Sequence, residues 1–144
     1  MSSCLICEKH KKDFPVIFEG EYFYLSHYNT SKDTPKVYRG HLFIEPKRHI
    51  ITVAELTKEE SQEMGWLIAM GGKAVMEVLQ PEHLYQFNLG HQVDHLHIHL
   101  VPRYKNTPKE FWGGRKLHEW NEADRIGSAE VDKLVEALKD VLNS

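Results

Sequence analysis

Apolar and polar positions alternate differently in successive stretches of the chain, and each change of period marks an element. FPVIFEG (14–20) and EYFYLSHY (21–28) are dense in aromatic and β-branched residues and read as two short strands, with Gly20 between them predicting a hairpin. NTSKDTP is a polar loop, and HLFIEP (41–46) is a further strand closed by Pro46. The period then lengthens. Thr57 followed by Glu60 is a capping-box pattern, and Met64, Leu67, Ile68, Gly71, Val75, Val78 and Leu79 recur at three- and four-residue spacing before Pro81. That is one long helix with a single apolar face. Each glycine in its MGGKA interior costs about 1 kcal/mol relative to alanine, so retention of Gly71 predicts close packing of the helix on a sheet, with a loose or kinked turn as the alternative. LYQFNLG (84–90) and HLHIHLVPR (95–103) are again strands. Ser128 signals a last helix, with Val131, Leu134, Val135, Leu138 and Val141 on one stripe. Between these lies NTPKEFWGGRKLHEWNEADRIG (106–127), long and irregular, whose Phe111, Trp112 and Trp120 predict an ordered, packed loop. Strands close in sequence pair antiparallel, so the fold class is α+β: an antiparallel sheet of about five strands with one long helix and a C-terminal helix.

Composition fits one domain over residues 1–144. A chain of 144 residues buries roughly 70% of the surface its unfolded form exposes. No apolar run approaches the ~20 residues of a membrane span, which predicts no membrane partner. The start, MSSCLICEKHKK, lacks the apolar core of a secretory signal, so a cytoplasmic location is expected. A net charge of −3 predicts no nucleic-acid partner. Locally the balance reverses: Arg103 to Lys116 holds five Lys/Arg against the single acid Glu110, either a solvated basic loop or a rim that attracts phosphate. Both cysteines lie in Cys4-x-x-Cys7. A redox pair, half of a metal site and two incidental thiols are open readings, and the position ahead of any βαβ pattern favours half of a zinc site.

The chemistry concentrates in QVDHLHIHLVPRY. In a strand, His95, His97 and His99 share one face while Leu96, Ile98 and Leu100 share the other and enter the core. Such a row suits a metal site, a catalytic imidazole oriented by its neighbours, or a solvated strand.

HLHIHLV (95–101), a His-x-His-x-His-x-x run with apolar x, together with RGHLFIEPKRHI (39–50), resembles the two signatures of the histidine triad (HIT) family of nucleotide hydrolases and transferases. Their order and spacing, the intervening helix and the following Pro-Arg agree. The resemblance covers residues 4–104 and fades over the loop and helix of 105–144. It implies nucleotidyl transfer: the middle histidine, His97, attacks the α-phosphorus of a nucleotide, and water or another acceptor releases the nucleoside monophosphate from the nucleotidyl-histidine. An imidazole of ordinary pKa, about 6.5, is largely neutral and nucleophilic at pH 7. By the same resemblance His99 helps hold the nucleophile and phosphate, and His41 faces the triad. Asn88 falls where many members place a polar residue near the phosphates. Gln92 falls where a Ser, Thr or Gln reaches the α-phosphate or leaving group, although GHQVDH is shorter than the usual glycine-rich loop. His27 stands where the family usually has an Asp or Asn touching the ribose, which departs from the pattern. The resemblance also implies a homodimer.

A subset of the family, and the related hexose-1-phosphate uridylyltransferases, carry a structural zinc on an N-terminal Cys-x-x-Cys, the histidine of Pro-Lys-x-His and the first triad histidine. Here these are Cys4, Cys7, His49 and His95. Two thiolates and two imidazoles form a closed tetrahedral set with no position for water, so the implied zinc is structural and no catalytic cofactor is expected. The expected substrates are dinucleoside polyphosphates or nucleoside phosphoramidates. Two other readings are a nucleotide-binding regulatory or scaffold protein, against which the intact His41, His97 and His99 count, and an open-site metalloenzyme, against which the scarcity of carboxylates near the triad counts.

Overall fold

The computed structural model describes residues 4–144. The chain enters through a short helix, α1 (Leu5–Lys9), an element outside the expectation from sequence; the Cys4 side chain caps it by accepting from the Cys7 amide. β1 (Val16–Glu19) and β2 (Phe23–His27) form the hairpin expected at Gly20, whose amide donates to the Phe23 carbonyl at 2.8 Å. The turn is held from outside: the Glu63 carboxylate accepts from the amides of Glu21 and Tyr22 at 2.9 and 2.8 Å. A two-residue strand, β3 (Val37–Tyr38), precedes β4 (Leu42–Pro46).

The long helix α2 (Lys58–Leu79) begins at Thr57, with the capping box to Glu60 formed in both directions, and ends at Gln80 in the left-handed conformation. β5 (His83–Phe87) and β6 (Ile98–Arg103) follow. After the long loop come β7 (Arg125–Ile126) and α3 (Ser128–Leu142). Gly127, not Ser128, occupies the N-cap of α3, and Ser128 is the first helical residue.

The fold is α+β, as its pattern predicts: an antiparallel five-stranded sheet in the order β1-β2-β4-β6-β5, plus the small pair β3-β7 that the sequence pattern did not show. One core joins Phe23 and Leu25 of β2, Leu42 and Ile44 of β4, and Leu100 of β6 to Leu67 and Val75 of α2 and Val131, Leu134 and Leu138 of α3. Each fully buried aliphatic contributes about 1.5–3 kcal/mol. The helices therefore cover one face of the sheet and leave the histidine face free for chemistry. On that second side the loop 105–127 is ordered, as its aromatics predict. Leu117 is fully buried in a separate cluster with Tyr38, Val101 and Ala123, and Phe111 stacks on Trp120.

Gly71 makes the expected close approach: a Cβ there would lie 3.2 Å from Leu100 Cδ1 and 3.4 Å from Leu25. The flexible leucine ends can yield a few tenths of an ångström, and alanine gains about 1 kcal/mol of helix propensity. Gly71→Ala is therefore expected to leave stability nearly unchanged. Gly71→Val, which drives two more methyls between helix and sheet, is expected to lose about 1–3 kcal/mol in urea unfolding.

Candidate functional site

Parity along β6 and the segment before it decides where each histidine goes. Leu96, Ile98 and Leu100 are buried in the core and their histidine neighbours face the other way, although the regular strand starts only at Ile98. The irregular stretch is pinned by the Leu96 amide, which donates to the Ile50 carbonyl at 2.7 Å.

His97 is half-buried, with Nδ1 2.7 Å from the carbonyl oxygen of His95. A carbonyl only accepts, so Nδ1 carries the proton and Nε2 keeps its lone pair. His99 lies beside it, ring centres 5.0 Å apart, and stacks face to face on Phe87 at 4.5 Å and 8°. Its Nδ1 is 2.9 Å from Nε2 of His41. His41 is 3% exposed and is enclosed by Tyr28, Phe43 and His118, the last stacked on it at 4.9 Å and 27°. Gly40 delivers His41 to this place. It turns the chain at φ +84°, and a Cβ there would meet Leu79, Pro102 and Tyr104 at 2.7–3.0 Å. Only glycine combines that conformation with that contact.

The imidazoles are electrically quiet. Burial, with His118 and His99 beside it, holds His41 well below the ordinary histidine value. Burial and the neighbouring His97 push His99 down to about 4. Burial and Arg125 lower His118. At pH 7 these three rings are neutral.

They open onto a cleft of about 330 Å³, within the range of small-molecule sites. His41, His97, His99 and Gln92 line it, whereas His27 and Asn88 do not. Both exceptions follow from strand geometry. His27 pairs with Leu42, which pairs with Leu100, so it lies on the core face, opposite Phe43 and His99. It is 1% exposed, its Nδ1–H donates to the Tyr28 carbonyl at 2.8 Å, and its Nε2 accepts from the Gly40 amide at 3.0 Å. Neither nitrogen is left for a ribose, and the ring instead supports the turn that carries His41. Asn88 is one residue beyond Phe87, which pairs with His99, and is exposed away from the cleft.

Sequence reasoning passed over several residues of the cleft wall. His118 comes from a short 3-10 turn (Lys116–Glu119) in the long loop, and Tyr28, Lys36 and Arg125 come from segments without a motif. Of the five basic residues between 103 and 116, only Arg115 reaches the cleft. Arg103 instead bonds Glu82 and Tyr85 and stacks on Trp112 at 3.7 Å.

Cys4, Cys7, His49 and His95 converge from three parts of the chain, their ligand atoms all within 4.8 Å of one another, and can hold a metal ion. A tetrahedral ion with the bond lengths usual for zinc separates N from N by about 3.3 Å and N from S by about 3.5 Å. Here Nδ1 of His49 and of His95 are 3.2 Å apart. Cys4 Sγ and Cys7 Sγ lie 3.4 Å from His95 Nδ1, and Cys7 Sγ lies 3.5 Å from His49 Nδ1. His95 Nε2 donates to the Pro46 carbonyl at 2.8 Å, which leaves the lone pair on the converging Nδ1. Two buried carboxylates, Glu60 and Glu45, steady the set. Arg48, next to His49, makes a two-pronged pair with Glu60 at 2.8 and 3.1 Å. Lys9 and His10, just past Cys7, both bond the buried Glu45 of β4.

The HIT domain matches residues 12–106, more than half of the chain. The chain belongs to the HIT family. Among related proteins, bis(5'-adenosyl)-triphosphatase of Dictyostelium discoideum is 38% identical over 76 residues, 46% of this chain and 48% of that protein, so the match spans about half of that relative. Adenosine 5'-monophosphoramidase hnt1 of Schizosaccharomyces pombe is 30% identical over 116 residues, 77% and 79% of the two chains. Among solved structures, a Zn-bound histidine triad family protein from Mycobacterium smegmatis superposes with a TM-score of 0.66 at 20% identity, covering 98% of this HIT chain and 94% of that one. At that identity the likeness is one of fold.

The lowered His99 pKa has a direct consequence for stability. The folded protein binds fewer protons than the unfolded chain between about pH 6.5 and about 4, so stability falls as pH falls through that window and is fully present above it. His27, His41 and His118 act with the same sign. Urea midpoints measured from pH 7 to pH 4.5 are expected to drop, and His99→Gln is expected to show a shallower dependence than the wild type.

Proposed function

We propose that this HIT protein is a nucleotide hydrolase or nucleotidyl transferase in which His97 attacks the α-phosphorus. The observation that carries the reading is the His97 Nδ1–His95 carbonyl bond. It fixes the tautomer and aims an unprotonated Nε2 into a cleft of nucleotide size. Attack forms an N–P bond as the bond from phosphorus to the leaving group breaks, and the electron pair departs with the leaving group. Water then opens the N–P bond, releasing the nucleoside monophosphate and restoring the imidazole. Splitting one displacement into two is the gain of covalent catalysis. His99, clamped between Phe87 and the His41 bond, holds the nucleophile's flank and the phosphoryl oxygens. Gln92 donates at the same phosphate, and the apolar wall of Tyr28, Val37 and Leu89 takes the nucleoside.

We assign a structural zinc to Cys4, Cys7, His49 and His95, supported by the donor set and its spacing. It clamps the N-terminal segment to the irregular stretch that presents His97, just ahead of β6. The sheet ends in two edge strands, β1 and β5, either of which would let a second copy extend it, in keeping with a homodimer.

Intact-mass spectrometry after brief mixing with an adenosine polyphosphate or phosphoramidate is expected to show an acid-labile adduct of one AMP. The adduct should be absent from His97→Ala and His97→Gly. No adduct and no AMP release from any substrate would move the assignment to a nucleotide-binding protein without catalysis.

Purified protein is expected to contain one zinc per chain by elemental analysis. Cys7→Ser is expected to lose the metal and several kcal/mol of stability, on the scale of structural zinc sites. Activity that vanishes at once on chelation, with stability unchanged, would contradict the structural role.

A further inference from the structure

Three cations line the cleft: Lys36 ahead of β3, Arg115 in the long loop, and Arg125 in β7. The cleft wall holds no Asp or Glu among the described residues, in a chain whose net charge is −3. Several other basic side chains are matched by carboxylates: Arg39 by Asp124 and Glu130, Arg48 by Glu60, Arg103 by Glu82, and Lys9 by Glu45. Lys36, Arg115 and Arg125 form no ion pair among the described residues. Arg125 bonds only the carbonyls of His118 and Asn121, which fix the guanidinium without neutralising it. Arg115 is placed by a close approach: a Cβ on Gly114 would sit 1.9 Å from the Phe87 ring, so the loop backbone lies directly on the aromatic that stacks on His99.

We propose that Lys36, Arg115 and Arg125 form an anion-binding rim that selects nucleotides whose leaving group is itself phosphate. The inference rests on the nucleotidyl-transfer reading of the same cleft. The imidazoles around His97 are neutral at pH 7 and supply donors but no net charge, so the positive charge of the site lies at its rim. When His97 attacks, the electron pair of the broken P–O bond moves onto the bridging oxygen of a phosphate leaving group, and fixed cations stabilise that charge. An amine leaving from a phosphoramidate carries no negative charge and gains nothing from them. The shared chemistry is a nucleotide with phosphates beyond the α position, whether a mononucleoside or a dinucleoside polyphosphate.

The test separates binding from turnover. In His97→Ala, which blocks the chemistry, ATP is expected to bind about tenfold or more tightly than AMP by calorimetry, with the difference shrinking as salt rises. Adding Lys36→Gln and Arg115→Gln should erase most of that difference, and Arg115→Lys should restore part of it. Both positions are exposed, so folding should be retained and is checked by thermal melting. In the otherwise wild-type chain, the same substitutions should lower the ratio of kcat/KM for polyphosphates to that for adenosine phosphoramidate by about tenfold or more. Diadenosine tetraphosphate against ATP distinguishes the two sources. Equal binding of AMP and ATP, or an unchanged ratio in the variants, overturns the rim while leaving an AMP–His97 adduct standing. Loss of the adduct with ATP still preferred over AMP overturns the transfer chemistry and leaves the rim.

Discussion

Both ring nitrogens and the carbonyl of His95 have partners, and the site depends on that one residue. Its Nδ1 points into the cluster with Cys4, Cys7 and His49, its Nε2 donates to Pro46, and its carbonyl receives the proton of His97 Nδ1. Two residues along the chain, the imidazole proposed as nucleophile therefore has its tautomer set by backbone that the cysteine cluster holds in place. The segment is irregular there, without a strand ladder to fix it, and the bond from the Leu96 amide to the Ile50 carbonyl supplies the missing restraint. In the proposed reading, a metal held by the N-terminal cluster fastens this short non-strand stretch at the start of β6.

Around this anchor the protein separates two kinds of polarity. Next to His97 lie neutral rings, stacked and hydrogen-bonded to one another and packed on Phe43 and Phe87. A buried imidazolium would be costly in such a place, so burial lowers the pKa of His41, His99 and His118 together. The same cleft is lined by the basic side chains of Lys36, Arg115 and Arg125.

Much of this was written in local sequence. The five strands, the capped helix and the stripe of the last helix follow from periods of 2 and 3.6, because the face that leaves water is set by side-chain spacing. Residues 95–100 place imidazoles and aliphatics on opposite sides by parity alone, and the two motif segments, taken with Cys4-x-x-Cys7, disclose the family and the four residues that could hold a metal. Very short elements escaped. α1 and the β3-β7 pair have too few residues to display a period, and they exist because distant segments meet them.

Strand register and loop packing were decided only in three dimensions. His27 shows this most sharply: a motif position suggested a ribose contact, but pairing with Leu42 puts its ring on the core face with both nitrogens bonded. Asn88, just past the end of β5, is exposed and does not line the cleft. Conversely, His118, Lys36 and Arg125 carry no motif and enter only because a loop seated on Phe87 and a two-stranded pair fold back over the histidine face. Sequence by itself determined which side chains can do chemistry and which side of a strand they occupy, since both are local properties of the chain. Which charged groups surround them depends on contacts between segments up to about a hundred residues apart, and no local period records those.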